Sequence, residues 1–373
     1  MTKKKDIEFS EEQQQLLEIA ENFCADKSPV STVRAQIEAD EGFDSSVWQE
    51  MTDLGWLGIA IPEEYGGSGL GMGEVVVIQE PLGRNLLATP FASSTLAAQL
   101  VLDAGSDAQK AQHLPSLAEG LKVSLAFAEA HGDWDLTHID CTGEISGDTL
   151  TLSGQKVLVT DAKVADGFMA TIKLGGKPAI VLIPGSAIDK DAMTRETVID
   201  ETRRSYRFSL DGVTVPASNM LDQDKTDAAL ERHHRLACLL LSAEACGGTA
   251  ACLNTILEYL TTRRQFDRFI GSYQALKHTA VDILTDMEAS RSFLYHAATQ
   301  IDEAGGETAV RMAKAQSSDT FAYAGDRAIQ FHGGFGFTYE CDAQLYRRRS
   351  IWTANQHGDA IYHRKRLAEL LLD

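Results

Sequence analysis

The chain has 373 residues, 44% of them hydrophobic and 24% charged, which is enough for two or three domains with a large buried core and excludes a disordered or collagen-like polypeptide. Its 34 Lys and Arg stand against 54 Asp and Glu, a formal net charge of -20, so the global field repels phosphate backbones and anionic lipid. No nucleic acid or membrane partner is therefore expected.

The start, MTKKKDIEF, carries a basic run with no apolar stretch behind it, and the most apolar run, Leu236 to Leu253, is broken by Ser242, Glu244 and two glycines. Neither a secretory signal nor a membrane span is expected, and a cytoplasmic location is. Ser10 followed by Gln13 has capping-box spacing, and Leu16, Ala20 and Phe23 then mark one face of a first helix. Trp48, Met51 and Leu54 predict a second helix ending at Gly55. Glu74 to Leu86 and Thr95 to Ala104 predict two more, with Pro62, Pro81 and Pro90 near the joints. The period then changes. Thr149 to Leu152 and Tyr206 to Leu210 alternate like half-buried strands, and Phe168 to Leu174 and Ala179 to Ile183 flank Gly175-Gly176 as the arms of a hairpin would. All eight prolines fall at or before Pro216, so the remainder favours long uninterrupted helices. Ala228 to Tyr259, Gln274 to Ile301 and Glu307 to Phe331 repeat apolar residues at helical spacing, punctuated by Gly271 and Gly305-Gly306. The expected organisation is mainly α with a β middle domain: helical residues 1–120, β residues 121–225 and a helical bundle over 226–373. Helices, then sheet, then helices argues against a doubly wound alternation.

The six cysteines form no CxxC pair and read as reduced core residues. The histidines include His233-His234 but no HExxH and no His/Cys cluster at structural-zinc spacing, so no metal is expected. Two glycine clusters, Gly66-Gly67-Ser68-Gly69-Leu70-Gly71 and Gly333-Gly334-Phe335-Gly336, lack the strand-then-helix setting of a dinucleotide fingerprint. Taken alone, each reads as a tight turn.

Their company changes that weighting. Gly58-Ile59-Ala60-Ile61-Pro62-Glu63-Glu64-Tyr65-Gly66-Gly67 comes first, Gly154-Gln155-Lys156 leads to Val159-Thr160-Asp161, and Val213-Thr214-Val215-Pro216 closes the β region. Tyr259-x3-Arg263-x-Gln265-Phe266 continues into Ile270-Gly271-Ser272-Tyr273-Gln274-Ala275, and Gln330-Phe331-His332-Gly333-Gly334-Phe335-Gly336-Phe337 follows. This ordered set resembles the acyl-CoA dehydrogenase family over essentially the whole chain. The resemblance implies an N-terminal helical domain, a β-barrel-like domain and a C-terminal four-helix bundle. It also implies FAD as cofactor, an acyl-CoA thioester as substrate, and electron-transferring flavoprotein as acceptor. The assembly it implies is a homo-oligomer, dimer or tetramer, or a heteromer with a homologous subunit. By the same resemblance Arg263, Gln265, Phe266, Gln330, Gly333 and Gly334 hold the FAD of a neighbouring chain, while Phe127 and Thr160 meet the flavin from the β domain. Without it, Arg263 reads as a solvated helix charge and Thr160 as an ordinary strand threonine.

The chain also departs from the family pattern. A Thr-Glu-Pro-x-x-Gly-Ser-Asp stretch is here Ala128-Glu129-Ala130-His131-Gly132-Asp133-Trp134-Asp135, which keeps the acids and loses the hydroxyls; Leu158 replaces a tryptophan that walls the flavin. The usual catalytic glutamate aligns with Gln356 or His357, and the alternative early position on the long helix holds Ala237. Glu244 is the residual candidate for the base, two helical turns from Ala237 on roughly the same apolar face; the alternative is a buried ion pair with a helix neighbour. His357 is a competent base near neutral pH and Asp359 a third possibility. Three readings stay open: an active dehydrogenase, an FAD-site-sharing subunit of a heteromeric one, and a redox-inactive acyl-CoA-binding or scaffold protein.

Overall fold

A computed structural model describes residues 9–39, 42–136 and 138–372. Six helices come first: α1 (Glu11–Lys27), α2 (Val30–Glu38), α3 (Ser45–Asp53), α4 (Met72–Arg84), α5 (Phe91–Ala104) and α6 (Asp107–Ala118). Nine strands follow: β1 (Val123–Ala126), β2 (Thr142–Ser146), β3 (Thr149–Ser153), β4 (Gln155–Thr160), β5 (Gly167–Leu174), β6 (Lys177–Pro184), β7 (Thr194–Glu196), β8 (Ser205–Ser209) and β9 (Thr214–Pro216). The last part holds α7 (Thr226–Thr262), the short β10 (Arg264–Gln265) and β11 (Arg268–Phe269), then α8 (Gln274–Gln300), α9 (Gly306–His332), α10 (Ala343–Asn355) and α11 (Ala360–Leu372).

The local signals explain several of these boundaries. Ser10 and Gln13 make the reciprocal capping box at the start of α1, and Ser106 and Gln109 make a second at α6. Gly175 and Gly176 both take positive φ in the tight connection of the antiparallel β5–β6 pair. Pro81 does not sit at a joint: it lies inside α4, whose residues from Val75 to Gly83 are all buried, and this packing outweighs the one helical hydrogen bond that proline forfeits.

The chain forms two compact units that cut across the sequence order. One comprises Met1–Ile37, Met72–Leu87 and Cys238–Asp373. Its core gathers Cys252, Ile256, Ile283, Phe321, Ala324 and Leu345 from α7, α8, α9 and α10. Within it α4 crosses α7 closely: a Cβ at Gly247 would collide with the Glu80 carbonyl, and one at Gly83 with the Glu244 backbone. The other unit comprises Glu38–Gly71 and Ala88–Ala237. It holds a six-stranded sheet in the order β1-β5-β2-β3-β9, with β6 also on β5, and a three-stranded sheet β4-β8-β7. Phe168, Ile172, Val181, Phe208 and Val215 form one core there; α5, α6 and β1 contribute to a second. One segment, Gln223–Thr262, is long and apolar enough to cross a membrane by length and composition, and 89% of its most apolar window is buried inside the protein.

Candidate functional site

In the helical unit, α7 ends in a two-residue hairpin. β10 and β11 pair antiparallel, with Gln265 opposite Arg268, and the two residues between them, Phe266 and Asp267, both have positive φ (53° and 61°). That is the backbone pattern of a type I′ turn, which ordinarily selects Asn-Gly because a Cβ is strained there. Here the tip carries a phenylalanine that is 84% exposed. An aromatic ring held in a strained turn and left in water is costly twice over, and such outliers concentrate at ligand-binding positions. Arg263 and Gln265 are exposed beside it. The C-terminal end of α9 comes alongside, because His332 stacks on Tyr259 with ring centroids 4.2 Å apart, one helical turn before Arg263. This brings Gln330, Gly333 and Gly334 to the same face; all three are exposed, and nothing lies within 4 Å of a Cβ built on either glycine.

In the β unit, the Val157 amide donates to the Ala128 carbonyl (3.0 Å), so the chain running out of β1 lies beside β4. Phe127 is buried against His233, edge to face at 4.9 Å, and Thr160 is half-buried at the end of β4. Glu129 turns inward and pairs with Lys156 at 2.5 Å, the two side chains 3% and 0% exposed. Lys156 also donates to the Thr171 hydroxyl, and Glu129 accepts from the amides of Asp140 and Cys141. Burial pushes the Glu129 carboxyl up, but the Lys156 charge and hydrogen bond and those amides outweigh it, leaving it below the usual carboxylate range. Leu158 sits in a bulge with φ 52° and is exposed.

The candidate bases are all in the helical unit, and each has its own surroundings. Glu244 Oε1 accepts from Arg349 Nη1 at 2.7 Å, both side chains buried, and its Oε2 faces Gln79 Nε2 at 3.4 Å. This is the buried ion pair that the sequence offered as the alternative to catalysis. Asp359 accepts from the Tyr362 amide at the start of α11, so its carboxylate acts as a helix cap. His357 is half-buried with φ 56°, between Gln356 and Gly358 (φ 96°).

The backbone around His357 is held from two sides. Lys314, fully buried on α9, donates to the carbonyls of Thr353 (2.9 Å) and Ala354 (3.3 Å) at the end of α10 and to Ser318 Oγ. Burial drives its ammonium down to about 8. One turn earlier, Arg311 Nη1 donates to Nδ1 of the fully buried His363 (3.4 Å), which assigns the proton of that ring to Nε2, donating to the His357 carbonyl at 3.1 Å. The Cys238 thiol also reaches that carbonyl at 3.8 Å. Cys238 is the residue after Ala237, so the two places the resemblance offers for a base are neighbours, and both lack a carboxylate.

The donor set fits a flavin dinucleotide on the helical unit: a guanidinium, an amide, an exposed aromatic and open backbone at two glycines. On the β unit the fit is partial, since Thr160 supplies a hydroxyl while Ala128 and Trp134 do not. Lys156, Arg349, Lys314 and His363 escaped the sequence reading. The Gly154-Gln155-Lys156 motif was the only signal for any of them.

Two family models match the chain: "Acyl-CoA dehydrogenase, N-terminal domain" over residues 10–121 and "Acyl-CoA dehydrogenase, C-terminal domain" over residues 232–372. Acyl-CoA dehydrogenase IpdE2 of Mycolicibacterium smegmatis is 27% identical over 351 residues, covering 94% of this chain and 96% of that one. A variant of the Tcur3481-Tcur3483 steroid ACAD superposes with TM-score 0.86 at 25% identity, covering 97% of this chain and 98% of its own. A chain of the ChsE4-ChsE5 complex from Mycobacterium tuberculosis superposes with TM-score 0.87 at 23% identity, covering 99% of each.

Proposed function

The chain belongs to the acyl-CoA dehydrogenase family, and from that premise we propose that it is an FAD-binding subunit that desaturates an acyl-CoA thioester between Cα and Cβ, with electrons passing to electron-transferring flavoprotein. The observation that carries this reading is the strained, solvent-exposed hairpin of Arg263, Gln265 and Phe266 beside Gln330, Gly333 and Gly334. FAD, when bound, supplies the acceptor for the β-hydrogen. Arg263 would neutralise pyrophosphate charge, Phe266 would offer an aromatic surface to a neighbouring chain's cofactor, and the open backbone at the two glycines would admit phosphate or sugar closely. Thr160 offers its hydroxyl to the flavin from the β unit. For the α-proton the chain has His357, whose carbonyl is held by His363 and which follows the end of α10 that Lys314 holds; Glu244 is committed to Arg349.

A second reading is supported by the missing carboxylates at Ala237 and at Gln356–His357, together with the likeness to a chain of a two-component complex. In it the chain completes the FAD site of a homologous subunit that carries the base. Flavin content separates the readings. The first expects the purified chain to be yellow and Arg263→Ala to be colourless; the second expects colour only after co-expression with the homologous subunit, again lost in Arg263→Ala. Full flavin occupancy in Arg263→Ala would refute the role given to this hairpin.

A further inference from the structure

Two neighbours of opposite kind bracket the ring of His363 on α11. Its Nε2 lies 3.1 Å from the His357 carbonyl, which can only accept, and its Nδ1 lies 3.4 Å from Arg311 Nη1, which can only donate. The place therefore calls for a donor at one end and an acceptor at the other. Neither an apolar side chain nor a lysine meets both demands.

Arg311 is held for this contact from behind. Its Nε and Nη2 lie 2.9 and 2.8 Å from Glu307 Oε1, and its guanidinium stands over the Tyr362 ring, 5.8 Å from the centroid. Arg311 is 8% exposed and His363 fully buried, so little water competes for either bond.

The other end of this series is a backbone that needs an outside hold. His357 and Gly358 have φ of 56° and 96°, two left-handed residues in succession between α10 and α11, a conformation that disfavours a residue with a Cβ. The Cys238 thiol reaches the same His357 carbonyl from α7 at 3.8 Å. A Cβ on Gly358 would stand 3.2 Å from His363 Nε2 and 2.4 Å from Tyr362 Cδ1, so the ring approaches this backbone as closely as glycine allows. Fixing that peptide plane limits where the imidazole of His357 can point.

We propose that His363 is the positioning residue for His357: oriented by Arg311, it holds the peptide that follows His357 and so sets where that imidazole stands to receive the α-proton. The assignment rests on the reading of His357 as the proton acceptor and adds Glu307, Arg311 and His363 as the series that places it.

The test uses the full-length chain, with the co-expressed homologous subunit where flavin retention requires it, and the variants His363→Met and His363→Gln. Methionine keeps similar bulk and removes both polar ends; glutamine keeps a donor and an acceptor. Hydrogen exchange at the C2 carbon of each histidine, read by peptide mass, reports on His357 without turnover. Exchange at His357 should rise in His363→Met and return to the wild-type rate in His363→Gln, while His278, exposed on α8, exchanges equally in all three. Anaerobic flavin reduction by butyryl-CoA or octanoyl-CoA should slow about 100-fold in His363→Met with the apparent thioester affinity unchanged, and far less in His363→Gln. Far-UV circular dichroism confirms that each variant keeps the fold. Unchanged His357 exchange or wild-type flavin reduction in folded His363→Met, or a glutamine variant no nearer wild type than the methionine one, overturns the proposal. If neither thioester reduces wild-type flavin, the desaturation reading fails for these substrates by itself, and the exchange comparison alone upholds or overturns the positioning of His357.

Discussion

Among the described residues, each compact unit holds an ion pair with both side chains fully buried, and the two pairs do different things. In the β unit, Glu129–Lys156 ties the start of the β1–β2 connection to β4 and to the amides of Asp140 and Cys141, so it fixes a loop. In the helical unit, Glu244–Arg349 ties α7 to α10 and therefore fixes the packing of two helices. Both acids invited a functional reading from sequence, one as a retained motif position and the other as a carboxyl on an apolar face. Each is placed instead where its charge is answered by a buried cation, which shows why a lone buried acid is weak grounds for assigning a base.

Each unit also buries a second ionisable group, and these push stability in different pH windows. His233 in the β unit is driven down to about 3 by burial, then by neighbouring His234. Protonation therefore favours the unfolded chain: its contribution is complete above pH 6.5 and is lost as pH falls toward 3, by up to about 5 kcal/mol. Stability measured from pH 7 to 4 should fall less steeply in His233→Leu than in wild type; equal slopes would remove His233 from the account.

Breaking either ion pair comes next. Arg349→Met and Lys156→Met should each cost about 3 to 5 kcal/mol at neutral pH, because each leaves a buried carboxylate without its cation. The comparison is sharpened by hydrogen exchange: Lys156→Met should release the amides of Asp140 and Cys141, and Arg349→Met should release α10. A loss of protection in the same residues for both variants would erase the distinction.

Lys314 gives a smaller effect of the same pH sense in a higher window. Its ammonium is held near 8 against an ordinary 10.5, so the unfolded chain binds more protons between those values and stability rises by about 3 kcal/mol across that window. Wild type should therefore gain on Lys314→Met as pH is raised from 8 to 10.5. A constant difference would show that burial does not perturb the group. Smallest of all is Phe266→Gly, which should raise stability by up to about 1 kcal/mol by relieving a left-handed backbone while lowering flavin retention. Lower stability with unchanged flavin would contradict both halves.

What could be seen in the sequence was what neighbouring residues decide. The Ser10–Gln13 cap, the Gly175-Gly176 hairpin and the proline-free run that becomes α7, α8 and α9 are local or compositional signals. Pro81 misled because local chemistry places a break there, whereas burial of α4 decides otherwise. The partners of Glu129 and Glu244 lie 27 and 105 positions away, so nothing in the sequence around either acid announces a cation. The hairpin at Arg263 was legible as a motif, but not the strained turn that presents Phe266. The stack of Tyr259 on His332, which joins the two motifs, is likewise a product of helix packing.

The most direct test of the central claim is the visible spectrum of the purified chain, alone and with a co-expressed homologous subunit, before and after anaerobic addition of acyl-CoA thioesters. Bound flavin is expected in at least one of these preparations, with its absorbance bleached by an acyl-CoA. Flavin absent from every preparation, or bound flavin that stays oxidised with every thioester, would contradict it.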